Sequence, residues 1–198
     1  MKHSIFFLAL TITASASWQV PSFPPPPGTK RIGENTFIDK SLIKYIDYEE
    51  FLHFIKKEDS ELYREMLPAD TLVTYKGEPL WRNKKYEEYP IVGLLENQIQ
   101  QYCTWRSGMV NQLIFDSKNR CGNFDYWSKF DTADPEKRYK VVYSIPSKAE
   151  IMASSPNKEK YHPDEFARDG VVPGKKMDKL SNKTLKGFRC KATFVPIK

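Results

Sequence analysis

The spacing of apolar and polar residues predicts short strands and amphipathic helices. Phe37 and Ile38 indicate a short strand near the start of the folded region. Apolar residues then recur at helical spacing and predict a helix that begins at an Asp47 cap, with Glu50 three residues later, and ends near Lys57. The apolar face of this helix consists of Tyr45, Tyr48, Phe51, Leu52 and Ile55.

The middle of the chain predicts another strand, followed by a helix. The sequence "YPIVG", residues 89–93, indicates a short buried strand that stops at Gly93. The apolar stripe of the following helix is formed by Leu95, Ile99, Tyr102 and Cys103. Cys103 is therefore expected to face the core. Trp105 and Arg106 are expected at the C-terminal end of the helix, where a cation complements the helix dipole.

Two further segments complete a predicted α+β pattern. The stretch "LPADTLVTY" predicts a turn and then a strand that includes residues 72–75. The stretch "YSIPSKAE", residues 143–150, predicts the end of a strand and then a helix. Ser147 is expected to cap this helix, with Glu150 completing a capping box.

The N-terminal residues predict export. Residues 1–16 have the form of a signal peptide, with a positive start, the apolar run "IFFLALTIT" and the small residues "ASA". A buried N-terminal strand or helix is the alternative. The first cysteine after the predicted cleavage near Ser17 is Cys103, so a periplasmic or outer-envelope protein without a lipid anchor is expected. No later segment is apolar for long enough to cross a membrane, so no transmembrane segment is predicted.

Four consecutive prolines follow the predicted leader. They favour extended polyproline geometry, and residues 17–31 are therefore predicted to be a stiff spacer. Residues 32–198 are then expected to form one domain, because about 180 mature residues suffice for one sizeable core.

Composition and charge argue against several classes of site. The 31 Lys and Arg residues against 25 Asp and Glu give a net charge of +6. The densest basic stretch, "GKKMDKLSNKTLKGFR", lacks the interleaved aromatic residues of a nucleic-acid platform, so no nucleic-acid partner is expected. The nine glycines are scattered rather than gathered in a phosphate-binding loop, and no small-molecule substrate is indicated.

The candidate acid–base and metal-binding residues are few. His53 has no second His or Cys at ligand spacing and is expected at the surface or its boundary. In "HPDEF", Asp164 and Glu165 are expected to be solvated loop charges rather than an acid–base pair, and His162 is not expected to hold a metal with them. No catalytic residue, metal ligand or cofactor is therefore predicted.

Four segments together resemble a known family. "IDKSLIKYIDYEEF", "YPIVGLLENQIQQYCTWRS", "YSIPSKAE" and "GFRC" stand in the order of the hallmark motifs of the formylglycine-generating enzyme, or sulfatase-modifying-factor, family. The resemblance covers about residues 36–191. It implies a compact α+β fold, low in regular secondary structure and related to C-type lectin domains.

The chain departs from that family where the family carries its chemistry. Only 36 residues separate Glu150 from Gly187, where catalytic members have a long segment with paired copper-binding cysteines. His53 and His162 cannot supply the histidine triad of the iron-dependent relatives. The domain is therefore expected to be truncated and not an enzyme. A flexible loop at residues 153–183 is expected in place of the catalytic half.

The resemblance implies a binding or structural function. The domain is similar to those of Bacteroidetes gliding-motility and type IX secretion lipoproteins, so an exported, non-catalytic module of a cell-envelope assembly with an envelope protein partner is expected. The alternative is a metal-dependent oxidase-type enzyme of the same family, completed by another chain or by an unrecognised site.

Loss of the catalytic segment is expected to expose aromatic residues that a partner could cover. The alternative is that these residues fill the core. The candidates are Trp81, Tyr86, Tyr89, Phe124, Tyr126, Trp127 and Phe130.

The resemblance also implies one disulfide. In the family, the cysteine of the Tyr-Cys-x-Trp helix is often bonded to the cysteine of the closing Gly-Phe-Arg-Cys, and these positions correspond to Cys103 and Cys190. Export favours oxidation of such a pair. Cys121 is then the odd thiol and is expected to be a small residue in a loop rather than a nucleophile.

Overall fold

The computed structural model describes residues 23–68, 73–116, 139–154, 163–174 and 186–197. The strands are β1 (Thr29–Arg31), β2 (Thr36–Asp39), β3 (Thr74–Tyr75), β4 (Glu78–Pro79), β5 (Tyr139–Ser144), β6 (Asp164–Ala167), β7 (Gly170–Val172), β8 (Lys186–Gly187) and β9 (Lys191–Pro196). The helices are α1 (Tyr45–Glu58), α2 (Ser60–Met66), α3 (Glu96–Asp116) and α4 (Lys148–Ala153), with a 3₁₀ turn at Lys84–Tyr86. The predicted signal peptide, residues 1–16, lies outside the described residues.

The main sheet is antiparallel and has the strand order β1-β2-β9-β5. The last strand, β9, lies inside the sheet because its two edges pair with β2 and β5. Ala192 and Phe194 are its inward residues and are buried, whereas the alternating residues Lys191, Thr193 and Val195 are half-buried, in line with the two-residue period of a strand. Two smaller sheets, β3-β4 and β7-β6-β8, complete an α+β fold, which confirms the predicted class at this level.

Helix α3 covers the outer edge of the main sheet. The side-chain amide of Asn111 donates to the carbonyl of Val141 at 2.7 Å and accepts from its N–H at 2.8 Å. The hydroxyl of Ser107 accepts from the N–H of Tyr143 at 2.8 Å. These side chains satisfy backbone groups that an edge strand leaves unpaired, so β5 is closed to further strand pairing here.

The first predicted strand and helix are present, with one difference at the helix start. Phe37 and Ile38 lie in β2, and the five predicted apolar residues of α1 are all buried. The helix begins at Tyr45, before the predicted cap. Asp47 lies inside the first turn, where its carboxylate accepts from the N–H of Lys44 at 3.0 Å. The carboxylate therefore caps the helix from the third helical position.

The segment "YPIVG" is buried as predicted but is not a strand. Ile91 and Val92 are in the core, yet the backbone makes only an isolated bridge between Lys44 and Pro90. The N–H of Ile91 donates to the carbonyl of Ile43 at 2.8 Å, so this segment packs against the residues before α1 instead of joining a sheet.

Helix α3 is longer than its sequence pattern predicted. It continues to Asp116, so Trp105 and Arg106 lie in its middle rather than at its C-terminal end. Leu95 precedes the helix and is 56% exposed, whereas Ile99, Tyr102 and Cys103 are buried as predicted. None of the helices in the described residues is both long and apolar enough to span a membrane.

The predicted spacer differs from the structure over its described part. Thr29–Arg31 form β1, and Phe23 is buried, with its ring stacked on Phe194 at a centroid distance of 4.4 Å. The described fold therefore includes residues before position 32, because Phe23 is packed in the core against Phe194 of β9.

The predicted flexible loop also contains folded structure. Within residues 153–183, β6 and β7 form an antiparallel pair, and β8, which follows this range, joins β6 in parallel. Helix α4 has the predicted capping box, because the Ser147 hydroxyl accepts from the N–H of Glu150. Residues 155–162 and 175–183 of the predicted loop lie outside the described residues.

Candidate functional site

The closing "GFRC" segment runs through the core. Its glycine, Gly187, fits tightly, because an added Cβ would lie 3.1 Å from Cγ of Pro163. The guanidinium of Arg189 is fully buried and donates to both carboxylate oxygens of Glu165, at 2.7 and 3.0 Å. It also donates to the carbonyls of Asp39 and Ser154. The prediction that Glu165 is a solvated loop charge is therefore wrong. Glu165 ties β6 to the closing segment.

Cys103 and Cys190 lie next to each other in the core. Their Sγ atoms are 3.1 Å apart and both residues are fully buried. A disulfide has an S–S length of about 2.0 Å, so this structure holds two thiols in contact, and the disulfide stays a prediction. The pKa of the Cys190 thiol is raised well above its ordinary value, mainly by burial and secondly by the contact with Cys103. A thiol held neutral in this way is a poor nucleophile. The odd cysteine, Cys121, lies outside the described residues.

Asp39 and Arg106 form a second buried ion pair. One carboxylate oxygen of Asp39, Oδ2, accepts from Nη1 of Arg106 at 2.8 Å and from the N–H of Cys190 at 2.7 Å. The Arg106 guanidinium also lies 4.4 Å from the ring centre of Tyr143. Burial would lower the pKa of Arg106, but Asp39 raises it well above the ordinary value, so the guanidinium stays charged. The pair joins α3 to the end of β2.

A concave surface on one side of α1 contains the predicted residue Trp81. We call it the Trp81 groove; it has a volume of about 410 Å³. Its lining includes Tyr45, His53, Lys56, Tyr63, Trp81 and Arg82. Trp81 is half-buried, and its ring contacts that of Tyr45 at a centroid distance of 6.1 Å. The groove therefore combines an aromatic wall with accessible polar groups.

Arg82 lies over the aromatic wall and has an unusual backbone conformation. Its φ angle is +55°, in the left-handed region that residues other than glycine rarely adopt. The guanidinium lies 5.6 Å from the Trp81 ring centre and donates to the hydroxyl of Tyr63 at 2.9 Å. Such backbone strain often accompanies functional sites. Arg82 thus links two aromatic residues that come from different elements.

The charges of the groove are mixed. Lys56 lies 5.5 Å from the Tyr63 ring centre, and Lys84 is on the rim with Arg82. Glu49 and Glu87 supply two carboxylates. Within the described part of the chain, none of these five groups forms an ion pair closer than 4.0 Å. They are therefore available to a ligand or partner.

The aromatic residues predicted as a partner surface have different positions. Trp81 lines the groove and Tyr89 is half-buried nearby, whereas Tyr86 is buried and its hydroxyl donates to Glu78 at 2.6 Å. For Tyr86 the core alternative is therefore correct. The remaining candidates lie outside the described residues: Phe124, Tyr126, Trp127 and Phe130.

Other residues of the groove were not identified from the sequence. His53 is exposed as predicted and lies on the groove rim. Tyr63 and Arg82 were missed, although an arginine directly after a tryptophan outside any predicted helix or strand was a usable signal.

Among the described residues, no group of three or more His, Cys, Asp or Glu side chains is placed to hold a metal ion.

Comparison with known proteins gives no relative from which a function could be transferred. No protein-family model, curated protein or solved structure matches this chain.

Proposed function

We propose that this chain is a non-catalytic binding module that holds a protein partner in the Trp81 groove. It would be a shortened domain of the formylglycine-generating type, with the related C-type-lectin-like fold. Its place would be in an exported cell-envelope assembly of the gliding-motility or type IX secretion kind.

The observation that carries this proposal is the composition of the groove. Trp81, Tyr63 and Arg82 lie together on one open concave surface. Tryptophan, tyrosine and arginine are the residue types most enriched among those that dominate binding energy at protein interfaces. Because Tyr63 already orients the Arg82 side chain, Arg82 would lose less conformational freedom when a partner binds.

Two internal contacts support the family assignment. The "YCTW" and "GFRC" motifs are distant in sequence, yet their cysteine sulfurs are 3.1 Å apart. The buried charge of the closing segment is also paired within the protein, because Arg189 donates to the Glu165 carboxylate of β6 and to the carbonyl of Ser154. Such contacts favour a structural role for these residues.

Site-specific photocrosslinking tests the proposed surface. A photoreactive phenylalanine analogue in place of His53, on the groove rim, is expected to crosslink one exported protein in cells that produce the chain. The same analogue in place of Met152, which is 74% exposed and outside the groove, serves as the control. Equal crosslinking from both positions would contradict the proposal.

A matched pair of glycine substitutions tests the role of the arginine. Arg82→Gly removes the cation and accepts the positive φ angle without strain, and it is expected to reduce the His53 crosslink severalfold. Lys76→Gly makes the same change in charge and backbone strain in the turn between β3 and β4, outside the groove. Equal effects of the two substitutions would exclude a specific role for Arg82.

Metal analysis separates this proposal from an enzyme. Copper and iron contents of the purified mature protein are expected to be far below one atom per chain. A stoichiometric content of either metal would favour the oxidase-type alternative and would overturn the non-catalytic proposal.

A further inference from the structure

The charged residues of the Trp81 groove are sorted by sign along the axis of α1. Glu49 and Lys56 both line the groove from this helix, about 10 Å apart along its axis. Glu87 lies at the Glu49 end, because its carbonyl accepts from the N–H of Ile46 at 3.0 Å in the first turn of α1. This end of the groove therefore carries two carboxylates.

The other end of the groove is basic. Lys56 lies over the ring of Tyr63, and the guanidinium of Arg82 donates to the hydroxyl of the same tyrosine at 2.9 Å. Both cations are exposed, and neither forms an ion pair within the described residues. A guanidinium has five N–H donors, so most of those of Arg82 remain open to a ligand.

Trp81 joins the two ends of the groove. Its ring contacts that of Tyr45 at the start of α1 and lies 5.6 Å from the Arg82 guanidinium at the basic end. Two further basic side chains line the groove, those of His53 and Lys84. A ligand lying along the groove would thus cross an aromatic surface with carboxylates at one end and cations at the other.

We propose that this groove binds a partner segment in polyproline II conformation that carries an acidic and a basic side chain three residues apart. The inference rests on the proposed function and specifies the chemistry of its partner. Polyproline II has three residues per turn and a rise of about 3.1 Å, so such side chains lie on one face, about 9 Å apart. That spacing matches the separation of Glu49 and Lys56 along α1. The acidic side chain would accept from Arg82, and the basic one would donate to Glu49 or Glu87.

A protein segment fits this groove better than a sugar does. Aromatic-lined grooves bind polyproline II segments because these segments are already extended before binding. A sugar ring would stack on an open aromatic face, but Arg82 already lies over the Trp81 ring. An acidic sugar would also supply only one sign of charge and would leave the carboxylate end unmatched.

Titration followed by NMR tests the charge pattern on the folded protein. The probe is acetyl-Pro-Glu-Pro-Pro-Lys-Pro-amide, and the signal is the indole N–H resonance of Trp81, identified with a Trp81→Phe variant. A saturating shift is expected. Binding is expected to be about two- to fivefold weaker when glutamine replaces the glutamate, or when the two charges are two residues apart. Equal affinity for the three peptides, no saturable shift, or methyl glucuronide binding as tight as the first peptide would overturn the proposal.

Adjacent lysines on α1 provide a matched control. Lys56→Gln is expected to weaken binding of the glutamate peptide about two- to fivefold and to leave binding of the glutamine peptide unchanged. Lys57→Gln, at an exposed position outside the groove lining, is expected to change neither affinity. Unfolding curves check that both variants are folded. Equal effects of the two substitutions, or equal effects of Lys56→Gln on the two peptides, would overturn the proposal.

The crosslinking experiment separates this inference from the proposed function. A His53 crosslink that persists while the peptides show no dependence on charge would overturn the inference alone. Equal crosslinking from His53 and Met152 would instead overturn the proposed function.

Discussion

Arg189 illustrates how one residue can be understood only through its contacts. From the sequence it is one more cation in a basic C-terminal segment, but its guanidinium is fully buried and makes four hydrogen bonds. A charge is tolerated in the core only when it is paired and hydrogen-bonded. Glu165 meets that condition with both carboxylate oxygens. The pair therefore fixes the position of β6 relative to the closing segment.

We predict that breaking this pair from one side is strongly destabilising. Arg189→Met leaves Glu165 buried without its cation, and the free energy of unfolding is expected to fall by about 3–5 kcal/mol. The double variant Arg189→Met with Glu165→Leu removes both charges and is expected to recover much of that loss. Chemical denaturation monitored by circular dichroism measures both changes.

An exposed arginine of the same hairpin provides the control for this prediction. Arg168→Met is expected to change the unfolding free energy by less than about 0.5 kcal/mol, because Arg168 is exposed at the turn between β6 and β7. Similar losses for Arg168→Met and Arg189→Met would show that the buried pair has no special role.

At the scale of single elements, α4 shows how a short helix is held at a defined position. The Glu150 carboxylate accepts from the N–H of Ser147 at 2.7 Å and from Nζ of Lys191 at 3.1 Å. The first contact closes the capping box and the second ties the helix to β9. Burial alone would raise the pKa of Glu150, but these hydrogen bonds lower it below the ordinary value.

We predict a pH-dependent effect of removing this carboxylate. Because its pKa is lower in the folded than in the unfolded protein, ionised Glu150 stabilises the fold above the unfolded pKa of about 4.3. That stabilisation is lost as the pH falls through the lower, folded value. Glu150→Gln is therefore expected to destabilise at pH 7, and the difference from the native protein is expected to shrink below about pH 4.

Urea denaturation at several pH values measures this effect. Glu34→Gln, at an exposed position without an ion pair among the described residues, is expected to show no comparable trend. A difference for Glu150→Gln that stays constant down to pH 2 would argue against a contribution from the ionised carboxylate.

At the scale of the whole molecule, contacts distant in sequence hold the sheet and helices together. Phe23 stacks on Phe194, β2 pairs with β9, and Cys103 in α3 meets Cys190. These contacts bring residues near both ends of the described region into one core. A covalent link between Cys103 and Cys190 would stabilise this core further. The two positions are 87 residues apart, and a bond that closes so long a loop removes much conformational entropy from the unfolded chain.

We predict that the exported protein contains a disulfide between Cys103 and Cys190 and that its role is structural. The oxidised form is expected to exceed the reduced form in unfolding free energy by about 2–4 kcal/mol. Peptide mapping without reduction identifies the bond, and denaturation with and without reductant measures its effect. Cys121→Ser, as control, should change neither result. A Cys103–Cys121 link, or a free Cys190 thiol in the exported protein, would refute the assignment.

The sequence by itself determined the features that depend on local spacing. The buried face of α1, the inward side of Cys103 and the capping box at Ser147 all follow from helical periodicity or from hydrogen bonds within one turn. The α+β class follows from the same patterns, as does the exposed position of His53. These features need no knowledge of what packs against the element.

Only the tertiary structure decided which distant groups meet. It buried Glu165 against Arg189, brought Phe23 into the core and left the "YPIVG" segment outside any sheet. It also brought Trp81 and Tyr63 together around Arg82, and it left one oxygen of Asp39 without a donor among the described residues. The reason is physical: burial and pairing depend on neighbours far away in the chain, whose identity no local spacing encodes.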